Sequence, residues 1–591
     1  MKSFFKYVLA TVTGIVISAL LFFIIAIGVI GILINSATSD KTTVVTENSV
    51  LYIPFDHAVT ERTTPNPFED IEIPGLVVNR SLGLDDILIR IKNAASDDKI
   101  KGIYLGISSV EANFASLKEI RDALLAFKDS GKFIVAYSEV YSQKAYYLAS
   151  TADKIYVNPE GALDFRGLAA EVMFLKGLFD KIGVEMQVVK VGTFKSAVEP
   201  YIQDKMSEPN KLQVSSYMNS IYQNFLSEIG ESRGITKDSL HHIADQFLVR
   251  TAEDAVKYRL ADATLYKDQV LDTLKSLLTL AEKDDIKTVS LRNYKPANTV
   301  KTGVSRDRVA IMYAVGTIES GEGSNESIGS EKISRELRKL RKDDKVKAVV
   351  FRINSPGGSA LASEVIWREV ELLRQAKPVI VSMGDVAASG GYYIAAAADS
   401  IFAQPNTLTG SIGVFGTIPN LQKLWTTHLG ITFDRVKTGE YSDFLSGNFD
   451  RPMTPQERQI MQLDVNRVYQ TFVKRVADGR KLTPEGVDSI GQGRVWTGEQ
   501  AVEIGFVDRL GSLDDAVKAA AGMAGLEDYH LVKYPAIKDP FGGLLGSSGE
   551  KVKTWFGKAQ FGAYYTHYES LKKAVEHSGN LAILPYDIYI Y

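Results

Sequence analysis

Three short segments of this 591-residue chain carry side chains suited to acyl transfer. The first is Asp385-Val386-Ala387-Ala388-Ser389-Gly390-Gly391, a serine set among small residues. Such a hydroxyl is reachable, and the small neighbours leave room for a carbonyl group beside it. The second, Asn354-Ser355-Pro356-Gly357-Gly358, follows a strand-like run. Paired glycines let backbone N–H groups face a ligand without Cβ interference, as an oxyanion hole requires. The third is Val191-Gly192-Thr193-Phe194-Lys195-Ser196-Ala197. A lysine serves as a general base only when desolvation or a nearby cation draws its pKa from about 10.4 toward about 7–8. Each segment also has an ordinary explanation. Ser389 alone reads more readily as a helix N-cap, Pro356-Gly357-Gly358 as a turn, and Lys195 as a surface cation.

An internal repeat changes those odds. Asp97-Asp98-Lys99-Ile100-Lys101 matches Asp343-Asp344-Lys345-Val346-Lys347 at an offset of 246 residues. The same offset aligns Ala145-Tyr146-Tyr147-Leu148-Ala149 with Gly391-Tyr392-Tyr393-Ile394-Ala395, and Asp262 with Asp508. A constant offset held this long marks a tandem duplication. The copies differ where chemistry is suspected. Ser389 faces Gln143, and the Gly357-Gly358 pair faces Glu111-Ala112. Aligned on their glycines, Lys195 faces Ser442. Copy one thus keeps a candidate base without the serine, and copy two the serine without the base. Complementary loss is expected when a symmetric two-site ancestor retains one composite site. The seven histidines (His57, His241, His242, His428, His530, His567 and His577) stand in no glycine-flanked motif, so a Ser-His-Asp triad ranks below a Ser-Lys pair.

The elements that must position these residues alternate strand and helix. In copy two the apolar runs 309–315, 348–353 and 379–383 read as strands, separated by helices over 334–341 and 360–375. This spacing predicts βαβ units and a largely parallel sheet in each copy. Long amphipathic helices are expected at 207–230 and 456–479, at matching places in the copies.

The rest of the chain bounds the setting. Residues 8–34 are almost wholly apolar, and as a helix would span roughly 40 Å, more than the roughly 30 Å of a bilayer core. Lys2 and Lys6 precede the stretch, so the N-terminus is expected inside and the bulk of the chain outside. A cleaved signal peptide has a shorter apolar region, about 7–15 residues. The expected division is a cytoplasmic tip (1–6), a transmembrane anchor (7–35), copy one (48–295), copy two (308–535) and a tail (536–591) ending in an apolar, aromatic run. A net charge of −3 without a basic run makes nucleic acid a poor partner. The absence of cysteine excludes disulfides and a thiol nucleophile. No metal-ligand spacing appears, and the chemistry calls for no cofactor.

The motifs NSPGGS (354–359), DVAASGGYYIA (385–395), TLTGSIGV (407–414) and VGTFKSAVEP (191–200) resemble those of the signal peptide peptidase A (protease IV) family, in its long tandem-repeat form. That resemblance implies an α/β fold of two Clp-protease/crotonase-like repeats. It also implies a membrane-bound serine endopeptidase that degrades released signal peptides and other apolar, unfolded peptides. Ser389 falls on the family's nucleophile and Lys195 on its general base. Ser411 falls on a hydroxyl that orients the lysine, and Gly357 and Gly358 on the oxyanion loop, with Gly390 in support. The resemblance further implies a homo-oligomer of four subunits in a bacterial inner membrane, with the catalytic part on the periplasmic side. Two other readings stay open on the sequence: a non-catalytic membrane scaffold, and a crotonase-type acyl-thioester enzyme.

Overall fold

The computed structural model describes residues 45–64, 81–294, 305–324, 326–445, 449–537, 579–583 and 589–590, with scattered positions between 6 and 22. Most of the expected anchor at 7–35 and most of the tail lie outside the described residues. Among the described residues no helix is long and apolar enough to cross a membrane.

Copy one contributes β1 (Ser49–Ile53), β2 (Ile100–Leu105), β3 (Phe133–Tyr141), β4 (Lys154–Leu163), β5 (Ala263–Thr264) and β6 (Thr288–Ser290). They form one parallel sheet in the order β6-β1-β2-β3-β4-β5. Copy two contributes β7 (Arg308–Val315), β8 (Val346–Ser355), β9 (Val379–Ala388), β10 (Ser400–Ala403), β11 (Arg509–Leu510) and β12 (His530–Tyr534). Their parallel order is β12-β7-β8-β9-β10-β11, the same topology again. The strands are buried on both faces, which is why the sequence shows continuous apolar runs rather than alternation.

The helices match as well. In copy one α1 (Leu84–Ser96), α2 (Phe114–Lys128), α3 (Gln143–Ala149) and α4 (Glu208–Arg233) have their counterparts in copy two in α5 (Ser330–Lys342), α6 (Ala360–Arg374), α7 (Gly390–Ala395) and α8 (Pro455–Arg480). Helix α5 shows how the pattern works: Ile333, Leu337 and Leu340 recur at helical spacing and are its buried apolar side chains, while charged residues and two serines fill its other positions. The two long helices begin at N-caps, Ser207 and Thr454, whose hydroxyls accept from Asn210 and Glu457 backbone N–H groups.

The strand registers correct one expectation. Ile103 pairs with Ile134 and Val349 with Val379. The first members of these pairs are 246 residues apart, the second only 245. The offset is back at 246 by Ala145 and Gly391, so copy two carries one extra residue in β9, just before Ser389.

The copies are not independent beads. Ala388, Leu408 and Val495 of copy two pack within the hydrophobic core of copy one. A third sheet joins them further. In it the strand Glu185–Val191 of copy one pairs antiparallel with Val414–Asn420 of copy two over seven residues. Sequence periodicity within one copy gives no hint of this pairing. It carries the chain directly into the Lys195 segment.

Candidate active site

Lys195 Nζ lies 2.9 Å from Ser389 Oγ, 3.1 Å from Ser411 Oγ and 3.3 Å from the Ser411 carbonyl oxygen. All three residues are fully buried. The residues singled out from separate copies therefore meet within one chain. Among the described residues no histidine is hydrogen-bonded to Ser389.

Ser389 is held in an unusual backbone conformation, φ 54° and ψ −115°, at the junction of β9 and α7. A non-glycine residue at positive φ costs about 1–3 kcal/mol and persists only when its surroundings over-determine it. Here its N–H donates to the Gly410 carbonyl at 2.8 Å, and its own carbonyl accepts from Tyr393 N–H at 2.8 Å. Its hydroxyl makes no cap on α7, so the N-cap explanation fails. The Ser389 N–H is already engaged and is not a free oxyanion donor, which turns attention to the next residue, Gly390.

The Gly357–Gly358 turn lies against that residue. Gly357 has φ 101° and Gly358 φ 156°. A Cβ on Gly357 would stand 2.7 Å from Gly390 N, and one on Gly358 would stand 2.0 Å from the Ile318 carbonyl oxygen. Neither position tolerates a side chain, so the two glycines are a steric requirement of this loop.

Lys195 is placed by contacts from both copies. The strand pairing 185–191 with 414–420 delivers the loop. Phe194 N–H donates to the Gln492 carbonyl at 2.8 Å. Gln213, buried on α4, donates to the Phe194 carbonyl (3.0 Å) and Ser196 Oγ (2.8 Å) and accepts from Val495 N–H (3.2 Å). Gly493 packs so closely that a Cβ there would stand 2.6–2.8 Å from Lys195 atoms. Gln213 and Gly493 went unnoticed in the sequence, because their role depends on the cross-copy pairing.

Burial pushes the Lys195 ammonium well below the usual lysine range, and no acidic side chain among the described residues offsets it. This has a stability consequence with a definite sign. The folded state disfavours the proton that the unfolded chain binds up to about pH 10.4. Wild-type stability therefore rises with pH from the depressed folded value toward that limit. Lys195→Met, of similar length and without the amine, is expected to melt higher than wild type at pH 7. The gap should shrink as pH approaches 10. A gap that is absent, or that widens with pH, in matched thermal scans contradicts a desolvated amine.

The reciprocal positions are closed. Gln143, opposite Ser389, is buried; its Oε1 accepts from Arg166 and Gly167 N–H groups, and its Nε2 donates to the Gly167 carbonyl. Ser442, opposite Lys195, is exposed on a loop. Ala197 and Val198, just beyond Lys195 in the chain, join Val188, Phe415 and Leu581 in a small buried apolar cluster.

Comparison with known proteins agrees with this architecture. The model of peptidase family S49 matches residues 126–281 and 371–527, one segment per copy. The Clp protease model matches residues 301–409, in line with the Clp-like fold expected of the repeats. The chain is 39% identical over 469 residues to Protease 4 of Salmonella typhi, covering 77% of this chain and 75% of that one. It is 35% identical over 519 residues to Protease 4 of Haemophilus influenzae, covering 83% and 82% respectively. It is also 35% identical over 454 residues to the chloroplastic serine protease SPPA of Arabidopsis thaliana, covering 76% and 67%. With both halves matched and such relatives aligned over most of their length, this chain belongs to peptidase family S49 and is a serine peptidase.

Proposed function

We propose that Ser389 is the nucleophile and Lys195 the general base of an endopeptidase acting on apolar, unstructured peptides, released signal peptides among them. The observation that carries this reading is the 2.9 Å bond between a fully buried lysine and a strained, buried serine. Neutral Lys195 takes the Ser389 proton as Oγ attacks the peptide carbonyl. Backbone N–H groups of Gly390 and Gly358 receive the oxyanion, the Gly357 N–H being bonded to Ser355 Oγ at 3.1 Å. The protonated Lys195 gives its proton to the departing amine, leaving an acyl-Ser389 ester. Lys195 then deprotonates water, which attacks the ester and frees the carboxylic acid product and Ser389. Ser411, within hydrogen-bond reach of Nζ, orients the amine.

We further propose a single-pass anchor at 7–35 in the bacterial inner membrane, with the catalytic part on the periplasmic side, and a homo-oligomeric assembly of four. Repeat symmetry supports the assembly. Residues 432–438, aligned on the same glycines, are the copy-two counterpart of the strand Glu185–Val191, yet among the described residues they pair with no strand. Phe433 and Val436 are left exposed there, as an unpaired edge awaiting a neighbour would leave them.

A fluorophosphonate serine probe tests the site directly. The full-length protein in detergent should acquire one adduct, located by peptide mass spectrometry on Ser389. Lys195→Ala should slow that labelling strongly. Labelling at another serine, or none at all, removes the proposal.

A further inference from the structure

The third sheet contains a strand that neither copy supplies. Its order is Ser327–Gly329, Thr317–Glu319, Gly357–Ser359, Gly579–Ile583, Val414–Asn420, Glu185–Val191. The segment 579–583 comes from the extreme tail. It lies antiparallel to the glycine-turn strand, pairing Gly357 with Ile583, Gly358 with Ala582 and Ser359 with Leu581. On its other side it lies antiparallel to 414–420, pairing Phe415 with Leu581 and Thr417 with Gly579. It thus fills a slot one strand wide between the loop that carries Gly357 and the strand that follows Ser411.

Its position relative to the chemistry is specific. A Cβ on Gly357 would stand 2.1 Å from the Ala582 carbonyl oxygen, and a Cβ on Gly390 would stand 2.9 Å from the same oxygen. A tail carbonyl therefore sits where the proposed oxyanion donors converge, against the residue that follows Ser389. Ala582 is fully buried, and Leu581 packs into the cluster of Val188, Ala197, Val198 and Phe415, next to the Lys195 loop. The segment Gly579-Asn580-Leu581-Ala582-Ile583 carries no charge, as an apolar peptide substrate would not. Further on, Tyr589–Ile590 pairs with Ala170–Glu171 of copy one, so the chain is held beyond the slot as well.

We propose that residues 579–583 occupy the substrate strand site, so that the resting chain caps its own catalytic groove and a peptide must displace this strand and pair in its place. The proposal rests on the Ser389–Lys195 reading and adds what lies in the groove and how a substrate is held. Main-chain pairing on both sides explains how peptides of varied sequence are accepted, with a side-chain pocket providing the preference. A tethered strand competes at an effective concentration in the millimolar range, so modest intrinsic affinity holds it in place.

Two variants test this. One chain ends at Ser578; the other is full length with Leu581→Asp, which sets a charge into the apolar cluster. With an unstructured apolar reporter peptide, both should lower KM by about fivefold or more while kcat stays within about twofold, as expected when a tethered competitor is lost. A synthetic peptide of residues 577–585 should restore the high KM of the shortened chain competitively. Cleavage after Ala582 in wild type and not in Ser389→Ala, seen by intact mass, would equally place the strand in the groove. Unchanged KM in both variants, with no competition by the peptide, overturns the proposal. Ser389→Ala separates the two readings: if it abolishes turnover while KM ignores the tail, only the capping inference falls. If Ser389→Ala stays active, the proposed site falls with it.

Discussion

Ser389→Ala and Lys195→Ala are each expected to lower kcat/KM by about a thousandfold or more, since residues that act as one unit fail almost completely when either is removed. The double variant should be little worse than either single one. That non-additivity is what distinguishes a dyad from two separate contributions. Lys195→Met fills the vacated space without an amine, so its loss of activity with retained folding isolates the proton-transfer role. The pH profile supplies the sign. Only neutral Lys195 accepts the serine proton, and burial holds its pKa far below that of a free lysine. Wild-type kcat/KM should therefore fall as pH drops through that depressed value, and plateau above it. A small primary amine added to Lys195→Ala should recover part of the rate, with a pH dependence set by the added amine. Activity within about twofold of wild type in both single variants would refute the dyad, because no general-base role is that small.

The proposed catalytic pair is legible in the sequence, though not from either residue alone. Ser389 by itself read as a cap, and Lys195 as a surface cation. Comparison of two diverged copies supplied the weight, since each copy keeps what the other lost. The strands and helices were legible for a simpler reason. Buried parallel strands and amphipathic helices write their periods into the chain, and α6, expected over 360–375, runs from Ala360 to Arg374.

What stayed hidden is what joins distant parts of the chain. The pairing of 185–191 with 414–420 satisfies backbone groups, and its side chains show no pattern naming the partner. The tail strand was visible only as an apolar run that had to dock somewhere. The extra residue in β9 is invisible to a constant offset, because it restores a residue that copy two lacks between α6 and β9 and so leaves both flanks aligned. One signal was available and missed. At the offset of 246 residues, Arg352 in the apolar run 348–353 stands against Gly106 of copy one. An arginine inside an otherwise apolar, buried strand must have partners, since an unpaired charge there is untenable.

Those partners come from the other copy, and their loss is the second large effect expected. Arg352 is buried on β8. It donates to Glu61 from Nε (2.9 Å) and from one terminal nitrogen (3.2 Å), and to Glu119 of α2 at 2.7 Å. It also donates to Ser382 Oγ and the Met383 carbonyl. Burial alone would lower the guanidinium pKa, but the two carboxylates hold it above its usual value. Burial raises that of Glu119 despite the arginine. Asn354 extends the cluster to the site, donating to Glu61 at 2.9 Å and accepting from Val386 N–H at 3.1 Å. The same ion cluster thus ties copy one to the strand that leads into Gly357 and to the approach to Ser389. Arg352→Met would leave two buried carboxylates without their cation, a loss of about 3–5 kcal/mol for a broken buried pair. The loss should depend on pH. Glu119, whose carboxyl burial already pushes up, binds a proton that the unfolded chain releases above about pH 4.3, so the folded variant gains as pH falls. Its melting deficit against wild type should therefore be smaller at pH 5 than at pH 7.5. Adding Glu119→Gln should recover part of the deficit at pH 7.5, because one unpaired charge is then gone. A deficit that does not change with pH and does not respond to Glu119→Gln would mean that Arg352 acts through packing alone.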